Sequence, residues 1–125
     1  MKVVCFDLDG VLCNQTSGDY ENAIPNQKAI SLINSLHEKG HRIIVYTSRF
    51  MGRNNEDVIQ THKEGYNFTI RQLRNWGVKF HDLYMGKPRY DILIDDKSIF
   101  YIDDWDVISN AINIETDKKN LLDID

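Results

Sequence analysis

Lys2-Val3-Val4-Cys5-Phe6-Asp7-Leu8-Asp9-Gly10 decides how the rest of this chain reads. Lys2 to Phe6 is short, apolar and β-branched, and Asp7-Leu8-Asp9-Gly10 stops it. Such a run predicts a strand buried on both faces, as in the middle of a parallel sheet. Working outward, Asn14 to Asn22 is polar and holds Gly18 and Asp19, so it reads as a loop. Pro25 fits the first turn of a helix that places Ile30, Leu32, Ile33 and Leu36 at helical spacing. Gly40 ends that helix. Arg42 to Tyr46 predicts a second strand, which breaks into Thr47-Ser48-Arg49. Phe50 to Asn55 reads as a loop. Glu56 to Trp76 has helical periodicity through Val58, Ile59, Ile70, Leu73 and Trp76, with Gly65 a candidate interruption. A third strand is expected near Phe80 to Met85, before Gly86-Lys87-Pro88. A fourth is expected over Asp91 to Ile94, ending in Asp95-Asp96, with Ser98 to Ile102 as one more short extension. Asp104 is placed to cap a last helix over Trp105 to Asn113.

Strands alternating with helices at this spacing predict the α/β class. The expected architecture is a single Rossmann-like domain, a parallel sheet with helices on both faces. Its core spans residues 1–114, and residues 115–125 form a charged tail. The chain has 125 residues, enough for one domain with a real core. Its charge of 15 − 19 = −4 leaves no broad basic face, which argues against nucleic acid as a partner. No apolar run approaches the ~18 residues of a membrane span. The N-terminus runs straight into Asp7, unlike a signal peptide. The two cysteines, Cys5 and Cys13, form no disulfide framework or zinc pattern, so a reducing cytoplasm is expected. Both read as buried small hydrophobes. His37, His41, His62 and His81 read as structural.

In parallel α/β sheets, ligands bind beyond the carboxyl ends of the strands. Those ends carry Asp7 and Asp9, Thr47 and Ser48, Lys87, and Asp95 and Asp96. A phosphate ester needs charge neutralisation, an in-line nucleophile and a proton for its leaving oxygen. Asp7, Asp95 and Asp96 could hold magnesium, which prefers hard oxygen donors. Asp9 could serve as general acid and then general base. Thr47 can donate to a phosphoryl oxygen, and Lys87 can pair with the phosphate. Each residue alone has a plainer reading: a turn aspartate at Asp9, a helix cap at Asp95, a surface lysine at Lys87, a strand-end hydroxyl at Thr47. Their conjunction at predicted strand ends favours the chemical reading.

The ordered set resembles the haloacid dehalogenase (HAD) superfamily of phosphohydrolases. A hydrophobic strand followed by D-x-D-G-[TV] matches Val3 to Val11. A strand ending in Thr or Ser matches Ile43 to Thr47. A lysine before the last motif matches Gly86-Lys87-Pro88, and a strand ending in two acids matches Ile92 to Asp96. The resemblance implies that Asp7 is a nucleophile forming an aspartyl-phosphate and Asp9 the general acid/base. It implies that Thr47 and Lys87 bind phosphate, and Ser48 beside Thr47 is a further phosphate-binding candidate. Magnesium would be held by Asp7, the Asp9 carbonyl and Asp95, with Asp96 as a further candidate. Tyr46-Thr47-Ser48-Arg49, Trp76-Gly77-Val78 and Gly86-Lys87-Pro88 through Asp95-Asp96-Lys97 resemble small HAD proteins associated with capsule and surface-polysaccharide biosynthesis. That similarity implies a sugar phosphate or related small metabolite as substrate.

HAD enzymes usually take specificity from an inserted cap. Here Val11 to Pro25 is too short for a folded domain, and Met85 runs directly into Gly86-Lys87, so no cap domain is expected. An open site implies a large substrate, or a second copy of the chain covering it. Arg49 and Arg53 follow the Thr47 strand end and are candidates for reading an anionic group of the substrate, or else solvated charges. Two rival activities are a phosphoacceptor receiver-like signalling domain and a phosphotransferase of the same superfamily. The order of the motifs, with Lys87 before the final acids, disfavours the receiver. An open site disfavours the phosphotransferase, which must exclude water.

Overall fold

Three of the four expected strands form, the first two where a β-branched run meets a polar stop. The computed structural model describes residues 1–113. In it β1 is Val3–Asp7, β2 is Arg42–Thr47 and β3 is Asp82–Met85. They pair in parallel in the order β1-β2-β3, with Phe6 opposite Val45 and Val45 opposite Leu83. Between β1 and β2 lies α1, Gln27–Glu38, and between β2 and β3 lies α2, Val58–Asn75. A third helix, α3, covers 105–113. This is a single Rossmann-like α/β domain with no second, cap-like domain among the described residues.

Each helix starts where a short polar side chain satisfies a free backbone N–H. The Asn26 side chain accepts from Ala29 N at 3.2 Å. Asp57 accepts from Gln60 N at 3.1 Å and Asp104 from Val107 N at 3.2 Å, the last as expected. Pro25 lies before the Asn26 cap rather than in the first turn of α1. Ala29, Ile30, Ile33 and Leu36 bury one face of α1, which packs on β2. Ile43, Val45 and Thr47 alternate inward along β2. Trp105, Ile108 and Ile112 of α3 join the same core.

The buried face of α2 differs from the expected one. Val58 and Ile59 are exposed, and the buried residues are Thr61, Gly65, Thr69 and Leu73. This four-residue spacing is a single helical face, and its small side chains let α2 approach β3 closely. Gly65 does not interrupt the helix. A Cβ there would lie 2.3 Å from Phe50 Cδ2 and 2.9 Å from Met85 Cε, so the helix needs a glycine at that contact.

The other differences gather at one sheet edge. Asp91 to Ile94 forms no strand, and neither does Ser98 to Ile102. Ile92 is 81% and Ile94 94% exposed. β1 therefore ends the sheet instead of lying in its middle. With no strand on its far side among the described residues, Val3 and Cys5 are exposed, so Cys5 is not the buried hydrophobe expected. Cys13 is buried as expected. His41 and His81 are structural: their Nδ1 atoms accept from Lys2 N and Ile43 N. The proposed tail at residues 115–125 lies outside the described residues.

Candidate functional site

Three parallel strands bring their carboxyl ends to one side of the sheet, and an open cleft of about 740 Å³ lies there. Asp7 and Asp9 line it from the β1 end, Thr47 and Ser48 from the β2 end, and Lys87 from the segment after β3. The sequence separates these groups by up to eighty positions, and the sheet register brings them together. Asp7 is opposite Tyr46, so Thr47 follows one residue beyond it. Thr47 is opposite Met85, and Lys87 N donates to Thr47 O at 3.1 Å, which delivers the lysine to the same end.

Lys87 Nζ lies 3.4 Å from Asp7 Oδ1, with the two side chains 16% and 38% exposed. Burial is the largest influence on the lysine and works to lower its pKa. The Asp7 carboxylate and Tyr90 together outweigh it, so the pKa is raised and the ammonium stays charged. Thr47 is 1% exposed, and its hydroxyl oxygen accepts from Arg49 N at 3.1 Å. Its own proton thus remains available toward the cleft. Ser48 Oγ donates to Pro88 O at 3.5 Å, a long bond that ties it to the lysine segment.

A tight turn shapes the Asp9 end. Leu12 N donates to Leu8 O and Gly10 N to Cys13 O. Gly10 has φ +87°, and a Cβ on it would meet Gln15 Nε2 at 2.8 Å. Only glycine suits both demands. Asp9 stands two residues after Asp7, a spacing that extended chain also puts on one side, and both line the cleft.

Arg49 is not placed to read a substrate. Its side chain is wholly buried, and it grips Asp9: Nε lies 2.9 Å from Oδ2 and Nη2 3.0 Å from Oδ1. Nη1 donates to Gln72 Oε1 at 2.6 Å, and the guanidinium covers the Tyr20 ring at 4.7 Å. A strand-end arginine in a polar stretch reads as exposed because its carboxylate partner lies 40 residues away. Arg53 does line the cleft. It is 48% exposed and pairs with Glu64 at 3.1 Å while donating to Gly18 O at 3.2 Å.

Asp95 and Asp96 are exposed and do not line the cleft. Asp95 Oδ1 instead accepts from Lys97 N at 2.8 Å in a local turn. Among the described residues, no group of three or more His, Cys, Asp or Glu is arranged to hold a metal ion. Magnesium, however, takes only one or two carboxylates and keeps several waters. A half-buried Asp7 carboxylate beside the Asp9 turn fits that chemistry in kind. The sequence reading missed Arg89 and Tyr90, which also line the cleft. Their signal was adjacency to Lys87.

No family model matches this chain, and no curated protein is similar to it. Among solved structures it is similar to a target protein from Vibrio cholerae, with a TM-score of 0.74 and 22% identity over 89% of this chain and 98% of that one. It is also similar to a chain in the structure of the Pnkp1/Rnl/Hen1 RNA repair complex, with a TM-score of 0.48 and 17% identity over 91% of this chain and 31% of that one. At 22% identity the first likeness bears on the fold alone. Among the described residues no helix is long and apolar enough to cross a membrane.

Proposed function

We propose that this chain is a phosphomonoester hydrolase of the haloacid dehalogenase type that uses magnesium and an aspartyl-phosphate on Asp7. The observation that carries the reading is the cleft itself: Asp7, Asp9, Thr47 and Lys87 arrive from three strand ends, with Lys87 Nζ 3.4 Å from Asp7. Each group then has a task that its position suits. Asp7 Oδ attacks phosphorus as the ester P–O bond breaks, and Asp9 gives its proton to the leaving oxygen. Asp9 then takes a proton from water as that water attacks phosphorus, and the bond to Asp7 breaks to release phosphate. Thr47 and Lys87 hold the phosphoryl oxygens throughout. Magnesium, held by Asp7 and the Asp9 carbonyl, would supply positive charge that offsets that of the phosphate.

Asp95 and Asp96 join this set when the segment 91–96 lies along the open edge of β1. The exposure of Ile92 and Ile94, and of Val3 and Cys5 on the β1 edge, favours that move, because it would bury apolar surface on both partners. The open cleft and its exposed Arg53 suit a sugar phosphate or a related small metabolite of surface-polysaccharide synthesis. A cytoplasmic setting and a second copy covering the cleft belong to the same proposal.

Phosphate release from a panel of sugar phosphates and p-nitrophenyl phosphate, with magnesium or with chelator, tests it. We expect magnesium-dependent turnover by the parent chain and none by a folded Asp7→Asn variant, because an amide cannot attack phosphorus. Magnesium should also raise the melting temperature by binding the native state. Near-parental release by Asp7→Asn would exclude Asp7 as the nucleophile.

A further inference from the structure

Arg49 is a buried cation whose hydrogen bonds converge on one carboxylate at the floor of the cleft. We propose that it is a positioning residue that sets the plane of the Asp9 carboxylate and aims the Thr47 hydroxyl. The inference rests on the phosphatase reading and adds a determinant of its rate.

Three features support it. First, the fork is bidentate. Nε and Nη2 engage both Asp9 oxygens, at 2.9 Å to Oδ2 and 3.0 Å to Oδ1, and Nε also reaches Oδ1 at 3.2 Å. A planar guanidinium fixes both the position and the plane of a carboxylate, which an ammonium cannot do. Cys13 Sγ adds a weak donor to Oδ1 at 3.4 Å. Asp9 keeps 14% side-chain exposure toward the cleft while Arg49 has none, so the acid faces the substrate and its holder does not.

Second, Arg49 also acts through its backbone. Its N–H donates to Thr47 Oγ1 at 3.1 Å. That bond occupies the hydroxyl as an acceptor and leaves its proton for a phosphoryl oxygen. One residue thereby orders a proton carrier and a hydrogen-bond donor to the phosphate.

Third, Arg49 is itself held. Gln72 accepts from Nη1 at 2.6 Å, and its Nε2 donates to Tyr20 O at 2.7 Å. The Tyr20 ring lies under the guanidinium at 4.7 Å, and Tyr20 OH accepts from Phe50 N at 3.3 Å. These bonds join α2 and the 14–22 loop to the Asp9 turn. A charge pair needed only for stability would not require its carboxylate to face the cleft.

The test is a kinetic cycle on the full chain with magnesium present. Arg49→Lys keeps the charge and loses the fork. On the best sugar phosphate of the panel, kcat should fall by about 100-fold, within what a positioned acid or base contributes. KM should stay within about twofold, since uniform binding is untouched. On p-nitrophenyl phosphate, whose leaving group needs little protonation, kcat should fall only severalfold. In an Asp9→Asn background, Arg49→Lys should cause no further loss, because the carboxylate it positions is gone. If Arg49→Lys folds poorly, Gln72→Leu loosens the same guanidinium without removing it and should show the same leaving-group pattern at smaller amplitude. Equal losses on both substrates, or losses that multiply in the Asp9→Asn background, would overturn the positioning role while leaving the phosphatase reading intact. A parent chain that releases no phosphate from the whole panel would overturn both.

Discussion

Replacing Arg49 by Met removes the cation and keeps an unbranched apolar side chain of related length. Asp9 then loses its partner while remaining 14% exposed. Breaking a buried ion pair on one side costs about 3–5 kcal/mol, because the remaining charge is left unpaired. Water in the open cleft reaches Asp9, so the lower end, about 3 kcal/mol, applies. Losing the guanidinium over the Tyr20 ring, 4.7 Å away, adds about 0.5–1 kcal/mol. For a domain of this length each kcal/mol moves Tm by about 4 °C. The fall should therefore be about 15 °C, read by circular dichroism on heating. Asp9→Asn in the same chain removes the stranded charge, so the double variant should melt above Arg49→Met alone. A fall of less than about 5 °C, or a double variant whose loss is the sum of the two single losses, would show that the pair is not the buried unit argued above.

Gly65→Ala tests the contact between α2 and β3. Helix propensity favours Ala by about 1 kcal/mol. The new carbon lies 2.3 Å from Phe50 Cδ2, however, so overpacking near the ~3 kcal/mol end should win. The expected net loss is about 2 kcal/mol in denaturant melts, and a variant more stable than its parent would refute the close packing. Cys13 tests alkaline behaviour. Burial first, then Asp9, pushes its thiol up from 9.0 to about 12. The folded state holds this proton more tightly than the unfolded chain, so the contribution is complete below the unfolded value and is lost as pH rises through the folded one. Tm should therefore decline across the alkaline range more steeply in the parent than in Cys13→Ala, and parallel curves would remove the thiol from the account.

The cleft was partly legible in the sequence for a local reason. Asp7 and Thr47 end β-branched runs, and a parallel sheet places the carboxyl ends of its strands together. Lys87 follows a strand and is carried to the same side by its backbone bond to Thr47 O. Arg49 was not legible, because what makes it a holder of Asp9 is a partner 40 residues away and a burial that no neighbouring residue signals. Its polar surroundings in the chain, Thr47-Ser48-Arg49, suggest a surface.

The sequence by itself determined the alternation of β1, α1, β2, α2 and β3, and the cap of α3. Strand runs, helical periodicity and the cap at Asp104 are set by residues within a turn or two of each other, so each segment carries its own instructions. Only the tertiary structure decided which face of α2 is buried. Thr61, Gly65 and Thr69 carry no strong apolar signal, and at Gly65 the missing side chain is what admits Phe50 and Met85. It also decided the fate of Ile92 to Ile94. An apolar β-branched run becomes a strand only when a neighbour completes its hydrogen bonds, and here the edge of β1 and that run remain apart.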